Sequence, residues 1–267
     1  MKPYLLIISL LAILLSACSD TPREVIYGDL EVFSLYFEEG SSVAYDYYQK
    51  GETTLVMDCG GMEKPRGLIG EGTIAIEGTG PETASFIMKD MSITDFEVEG
   101  GEQVLGDKMN QPGTNEATGL KPDGTFSNNP SSEMLFDMLF NLPPADIKLG
   151  ESIEKEVSFP VNAYGSTTAV VATKTITYQK DTTINGDPCA VLHFELHDSD
   201  LEKSVSFKKD SYGKYEGHGV TYFNLNKHEV EGAIGSILLD VFVHVDGDDG
   251  DCFGMMMEQT NRLRRRE

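Results

Sequence analysis

"NNPSSEMLFDMLFNLPP" (Asn128–Pro144) decides the fold, because past the first twenty residues of this 267-residue chain it is the one stretch that reads as a helix. Asn129 can cap a first turn, and Pro130 suits the first helical position, where its missing N–H loses no bond. Glu133 sits near the positive end of the helix dipole, and Pro143-Pro144 stop the run. Met134/Met138, Leu135/Leu139 and Phe136/Phe140 are i, i+4 pairs, so apolar side chains cover most of the circumference of a helix Pro130–Leu142. A helix apolar nearly all round must be buried on more than one side. The rest of the chain has to wrap it.

On both sides the chain reads as strands. "LEVFSLYF" (Leu30–Phe37), "SVAYDYY" (Ser42–Tyr48), "TTLVMDC" (Thr53–Cys59) and "TASFIMKDMSITDFEVE" (Thr83–Glu99) precede the helix and are rich in aromatic and β-branched residues. From about Gly100 to Pro130 Gly, Asn, Pro and Thr dominate, which predicts a long surface connection holding at most a short hairpin, with a type I turn at "KPDG" (Lys121–Gly124). Beyond the helix come "TTAVVATKTITYQ", "PCAVLHFELH", "LEKSVSFKK", "EVEGAIGSILLDVFVHV" and "CFGMMMEQT", separated by turn signals such as "INGDP". A sheet of about ten strands curls or splits into two layers. The expected fold is therefore mainly β: a large curved antiparallel sheet, half-barrel or two-layer, with one short apolar helix. The β-rich domain spans about 29–260. Its halves, about 29–128 and 145–260, look loosely alike, since "EEGSSVAYDYY" and "KLGESIEKEVSF" each lead from a Gly turn into a strand.

The apolar run Tyr4–Leu15 is too short to span a membrane, which takes about 20 residues. Preceded by Lys2 and followed by small residues, it has the layout of a secretory signal, residues 1–17. Leu15-Ser16-Ala17-Cys18 closely resembles the lipobox of bacterial lipoproteins. That resemblance implies cleavage before Cys18 and its acylation by diacylglycerol and a fatty acid such as palmitate. Each buried CH₂ adds about 0.8 kcal/mol, so two or three chains hold stably where one does not. Residues 18–28 then form a tether. Ser19, where aspartate would signal inner-membrane retention in the enterobacterial form of the family, leans towards the outer membrane. The resemblance thus implies a cell-envelope location and a membrane partner through the anchor, with no cofactor beyond that covalent lipid.

The formal net charge of −23 repels nucleic acid and anionic lipid faces, which argues against both as partners. Four of the 21 basic residues crowd into the last six, "RLRRRE", so that 261–267 reads as a solvated basic tail. Apart from Cys18 the cysteines are Cys59, Cys189 and Cys252. An odd count leaves at least one thiol unpaired, and spacing does not say which two bridge.

"FEEGSSVAYDYYQKG", "LPPADIKLGESI" and "GHGVTYFNLNKHEVEGAIGS" resemble recurring phrases of an uncharacterised family of bacterial β-rich exported lipoproteins. Gly217, Gly219 and Phe223 fit its "G-x-G-x-x-x-F" strand, whereas the Trp often found in its Gly-led strand is missing, as this chain has no Trp. A curved sheet with a helix across its mouth is also similar to lipoproteins of the lipoprotein-carrier type.

Candidate chemistry is sparse. In "HFELH" a strand would point His193, Glu195 and His197 to one face, where two imidazoles can share a zinc, with His244 and Asp246 as further donors. A polar solvent face opposite an apolar core face predicts the same alternation without metal. "DGDDGD" (Asp246–Asp251) lacks the Glu that closes a calcium loop and reads as an acidic turn. Tyr36, Tyr45, Tyr47 and Tyr48 form an aromatic cluster. Tyr45 and Tyr47, with Met134, Leu135 and Met138 of the helix, are the candidate lining for a lipid-like ligand. No nucleophile motif stands out. The expectation is a non-enzymatic envelope protein that binds an apolar or amphipathic ligand, or an envelope protein partner, on its sheet. The alternatives are a structural scaffold without small ligand, and a metal-dependent hydrolase at His193/Glu195/His197.

Overall fold

The structure, a computed structural model, describes residues 33–57, 61–62, 65–99, 102–127, 130–144, 146–163, 166–202, 210–244 and 252–266. Cys18, Cys59 and the acidic turn 246–251 lie outside them. The strands are β1 (Ser42–Met57), β2 (Gly61–Met62), β3 (Arg66–Gly80), β4 (Thr83–Glu99), β5 (Glu102–Asn110) and β6 (Asn115–Leu120), then β7 (Ser152–Ala163), β8 (Ser166–Ile184), β9 (Asp187–Leu201), β10 (Tyr212–Asn224), β11 (Glu229–His244) and β12 (Cys252–Arg265). Between the two sets lies α1 (Pro130–Phe140), the single helix among the described residues. All strands join one open antiparallel sheet in the order β5-β4-β3-β1-β12-β11-β10-β9-β8-β7, with β2 beside β1 and β6 beside β4.

The curl of this sheet follows from what α1 touches. β4 and β8 are seven strand steps apart, about 34 Å if the sheet were flat at about 4.8 Å per step. Yet Phe136 meets Phe86 of β4 with ring centroids 5.9 Å apart, while the next residue, Asp137, bonds Lys174 of β8 at 2.9 Å. Only a half-barrel closed around the helix brings both ends to adjacent residues. Strand alternation supplies its interior: Leu192, Phe194 and Leu196 of β9 are buried, while Glu195 between them is exposed. A single hydrophobic core runs through residues of both sequence halves.

The helix ends two residues earlier than predicted. Asn141 takes a left-handed φ of 51°, and its side-chain amide donates to the Met138 carbonyl at 3.1 Å, capping the last turn. Phe136, Leu139 and Phe140, spaced i, i+3 and i+4, are buried in the concavity. Phe140 stacks on Phe136 at 4.4 Å and meets Tyr45 edge-on at 5.3 Å.

Three sequence expectations change. The Gly-rich stretch after residue 100 holds two strands, β5 and β6, where a connection with at most one hairpin was expected. "LEVFSLYF" is not a ladder strand in its described part, although Phe33, Leu35 and Phe37 alternate inward as its pattern demands. These residues plug one end of the half-barrel: Leu35 N–H donates to the Pro122 carbonyl at 2.8 Å, Tyr36 N–H to His228 at 3.1 Å, and Phe33 packs on Tyr178 and Phe223. The C-terminal arginines are no frayed tail, because β12 runs through Arg265 between β1 and β11. Met255, Met257, Gln259, Asn261 and Leu263 point inward on it, and the outward Arg266 bonds Asp46 at 2.6 Å. Inward alternation outweighs charge, because every second residue of that segment has a core to enter.

Candidate functional site

The concave face beneath α1 is built by strand register. Two neighbouring inward rows cross the sheet: Lys174, Leu196, Gly217, Ile237 and Gln259 in one, Ile176, Phe194, Gly219, Gly235 and Asn261 in the other. Gly219 and Gly235 face each other and make a flat bed for the Phe194 ring. A Cβ on Gly219 would lie 2.3 Å from that ring, so only glycine lets it settle. The "G-x-G" phrase of β10 therefore serves close packing. Lys174 Nζ lies 5.3 Å from the Phe194 centroid, over the ring face.

Lys174 is an ammonium among apolar neighbours, with only 3% of its side chain exposed. Its carboxylate partner comes from the helix: Asp137 Oδ2 accepts from it at 2.9 Å and the Asp137 carbonyl at 3.0 Å. Lys155 of β7, directly across the ladder from Lys174, donates to the other oxygen, Asp137 Oδ1. Burial by itself would raise the Asp137 carboxyl, but the two lysines outweigh it and hold it down to about 2. Burial pulls the Lys174 ammonium down to about 8, against the opposing pull of Asp137. Tyr215 of β10 stands close by, its hydroxyl pushed up by burial and by Asp137. Beside this cluster, Asp137, Asn141, Ser158, Lys174 and Tyr215 help line a cavity of about 30 Å³, room for one or two waters. Further along the concavity Tyr47 donates to Gln49 Oε1 at 2.5 Å and Gln259 to Asn261 Oδ1 at 2.9 Å, a buried strip of amides.

No protein-family model and no curated relative matches this chain. Its chemistry has to be read from the site alone.

Of the residues singled out from sequence, Tyr45 and Tyr47 are buried, Tyr45 against Phe140 of α1, Met138 lines the cavity and Leu135 is half-buried against the core. Met134 falls in α1, but its side chain lies outside the described ones. His193, Glu195 and His197 share the opposite, outer face of β9. Both ring nitrogens of His197 have partners, Nδ1 with Asp198 and Nε2 with Thr175, each at 2.8 Å. His244 stands on β11, beyond β10, with Nδ1 2.9 Å from Asp210. Among the described residues no three His, Cys, Asp or Glu side chains gather to hold a metal. Cys189 is a free, fully buried thiol pushed up by burial and by the Glu231 charge, while Cys252 is disulfide-bonded.

Sequence reading missed Asp137, Lys155 and Lys174. A signal was present. Lys174 holds an inward position between Ala172 and Ile176, and Asp137 is the lone charge within "MLFDMLF".

Proposed function

We propose that this protein is a lipid-anchored, non-enzymatic component of a bacterial cell envelope, tethered through Cys18 at the outer membrane, whose curved sheet takes up an amphipathic ligand in place of α1. One observation supports the reading above the others. The inward side of α1 combines apolar bulk (Phe136, Leu139, Phe140) with a single carboxylate, and the sheet receives it on an apolar trough with two lysines. Helix and trough have the chemistry of a ligand and its site.

A lipid needs several hundred Å³, and the folded protein leaves about 30 Å³ here, so uptake requires α1 to move aside. Magnitudes permit the exchange. Returning three large apolar side chains to water costs about 5–9 kcal/mol, whereas burying a sixteen-carbon chain returns about 13 kcal/mol at about 0.8 per CH₂. A scaffold without small ligand is the second reading, and the filled core beneath α1 favours it.

Secretion of the full chain with Cys18→Ser, lipid extraction and mass spectrometry separate the two. Co-purifying lipid and saturable uptake of a fluorescent fatty acid are expected. An empty extract together with no saturable uptake rules out the ligand reading and leaves the scaffold. The anchor has its own check: labelled palmitate enters the wild-type chain and not Cys18→Ser.

A further inference from the structure

We infer that the ligand taken up in place of α1 is a single-chain amphiphile with a carboxylate head, that Lys174 and Lys155 hold this head, and that Asp137 is its built-in competitor. The inference rests on the ligand reading above and names the ligand's class.

The register makes the case. Lys155 and Lys174 are direct cross-strand partners on the concave face of β7 and β8. Like charges placed so repel unless an anion sits between them. Among the described residues the sheet offers neither lysine a carboxylate contact; Asp137 of α1 supplies both, one oxygen to each amine. When α1 leaves, two ammonium groups remain side by side in an apolar concavity, in a chain whose overall charge is −23. They require an anion able to present two oxygens at that spot. A carboxylate does so in the geometry Asp137 already displays, one oxygen to each amine.

The tail path is equally directed. From Lys174 on β8 the inward rows pass Phe194, Gly219 and Gly235 before reaching the amides Gln259 and Asn261 on β12. Four strand steps cover about 19 Å at about 4.8 Å each. A single extended chain laid along that trough meets the Phe194 ring and the apolar Leu196 and Ile237 side chains before it reaches the amides.

The test uses the full chain with Cys18→Ser, and two probes of equal length, palmitate and hexadecanol, each displacing a fluorescent fatty acid. Asp137→Asn removes the competitor, so it is expected to bind palmitate at least about tenfold tighter than the parent and to prefer palmitate over hexadecanol by at least about tenfold. Adding Lys174→Met is expected to abolish that preference. Equal affinity for the two probes in Asp137→Asn overturns the carboxylate inference and leaves the ligand reading standing. Failure of both probes to bind Asp137→Asn, with a native circular dichroism spectrum, overturns the ligand reading and the inference with it. Should Asp137→Asn not fold, the parent carries the test: a preference for palmitate that Lys174→Met erases supports the inference, and no preference overturns it.

Discussion

Asp137 and Lys174 form a buried pair whose two halves should respond unequally to removal. Asp137→Asn keeps size and shape but leaves the Lys174 ammonium, with 3% of its side chain exposed, facing Lys155 without an anion. Breaking a buried pair from that side costs about 3 kcal/mol or somewhat more at pH 7. Lys174→Met removes the more deeply buried charge and leaves Asp137, with 23% of its side chain exposed, still paired to Lys155, so a change within about 1 kcal/mol is expected. The pH dependence adds a second signature. The wild-type folded pKa of Lys174 lies near 8, below the ordinary 10.5, so the unfolded chain holds that proton more tightly and stability rises with pH between these values. Without Asp137 the folded value falls further and the rise starts earlier. The gap between wild type and Asp137→Asn should therefore shrink by about 1 kcal/mol from pH 7 to pH 9. Urea unfolding followed by circular dichroism, at constant m-value, reads both effects. Equal losses for the two variants, or a gap independent of pH over that range, would refute the assignment of Lys174 as a buried cation neutralised by the helix.

Phe140→Ala is expected to cost about 3–5 kcal/mol, because its ring is 0% exposed and meets Tyr45, Phe86 and Phe136; thermal unfolding checks it. Gly219→Ala should lose about 2–3 kcal/mol, its new Cβ lying 2.3 Å from the Phe194 ring and 2.4 Å from the Ile234 carbonyl, whereas Gly51→Ala, with 3.6 Å to its nearest neighbour, should be tolerated in the same assay. In the Cys18→Ser chain Ellman's reagent should find no reaction at Cys189 in the native state and one thiol after unreduced denaturation; three thiols would contradict the disulfide at Cys252.

Local pattern carried the reading of individual elements. The alternation in "CAVLHFELH" placed His193, Glu195 and His197 on one face and Phe194 and Leu196 on the other, as β9 does. The i, i+4 repeats of "MLFDMLF" gave a helix that had to be buried, and Phe136, Leu139 and Phe140 are. Composition misled where it stood in for pattern. Four arginines suggested a solvated tail, but Gln259, Asn261 and Leu263 alternate inward and make the segment a central strand. "LEVFSLYF" has the alternation of a strand, yet its described residues find hydrogen-bond partners in loops rather than in a ladder.

By itself, then, the sequence determined the class of fold, the position of the helix and the side of β9 that turns inward, because these depend on neighbours within a few residues. The tertiary structure alone decided that Lys155 and Lys174 stand across one ladder, that Asp137 bridges them from a helix 18 and 37 positions away in sequence, and that the glycines of β10 and β11 meet under Phe194. Those pairings are set by strand register and by the curl of the whole sheet. Both emerge only when more than two hundred residues close around a common core, where burial makes each ammonium depend on Asp137.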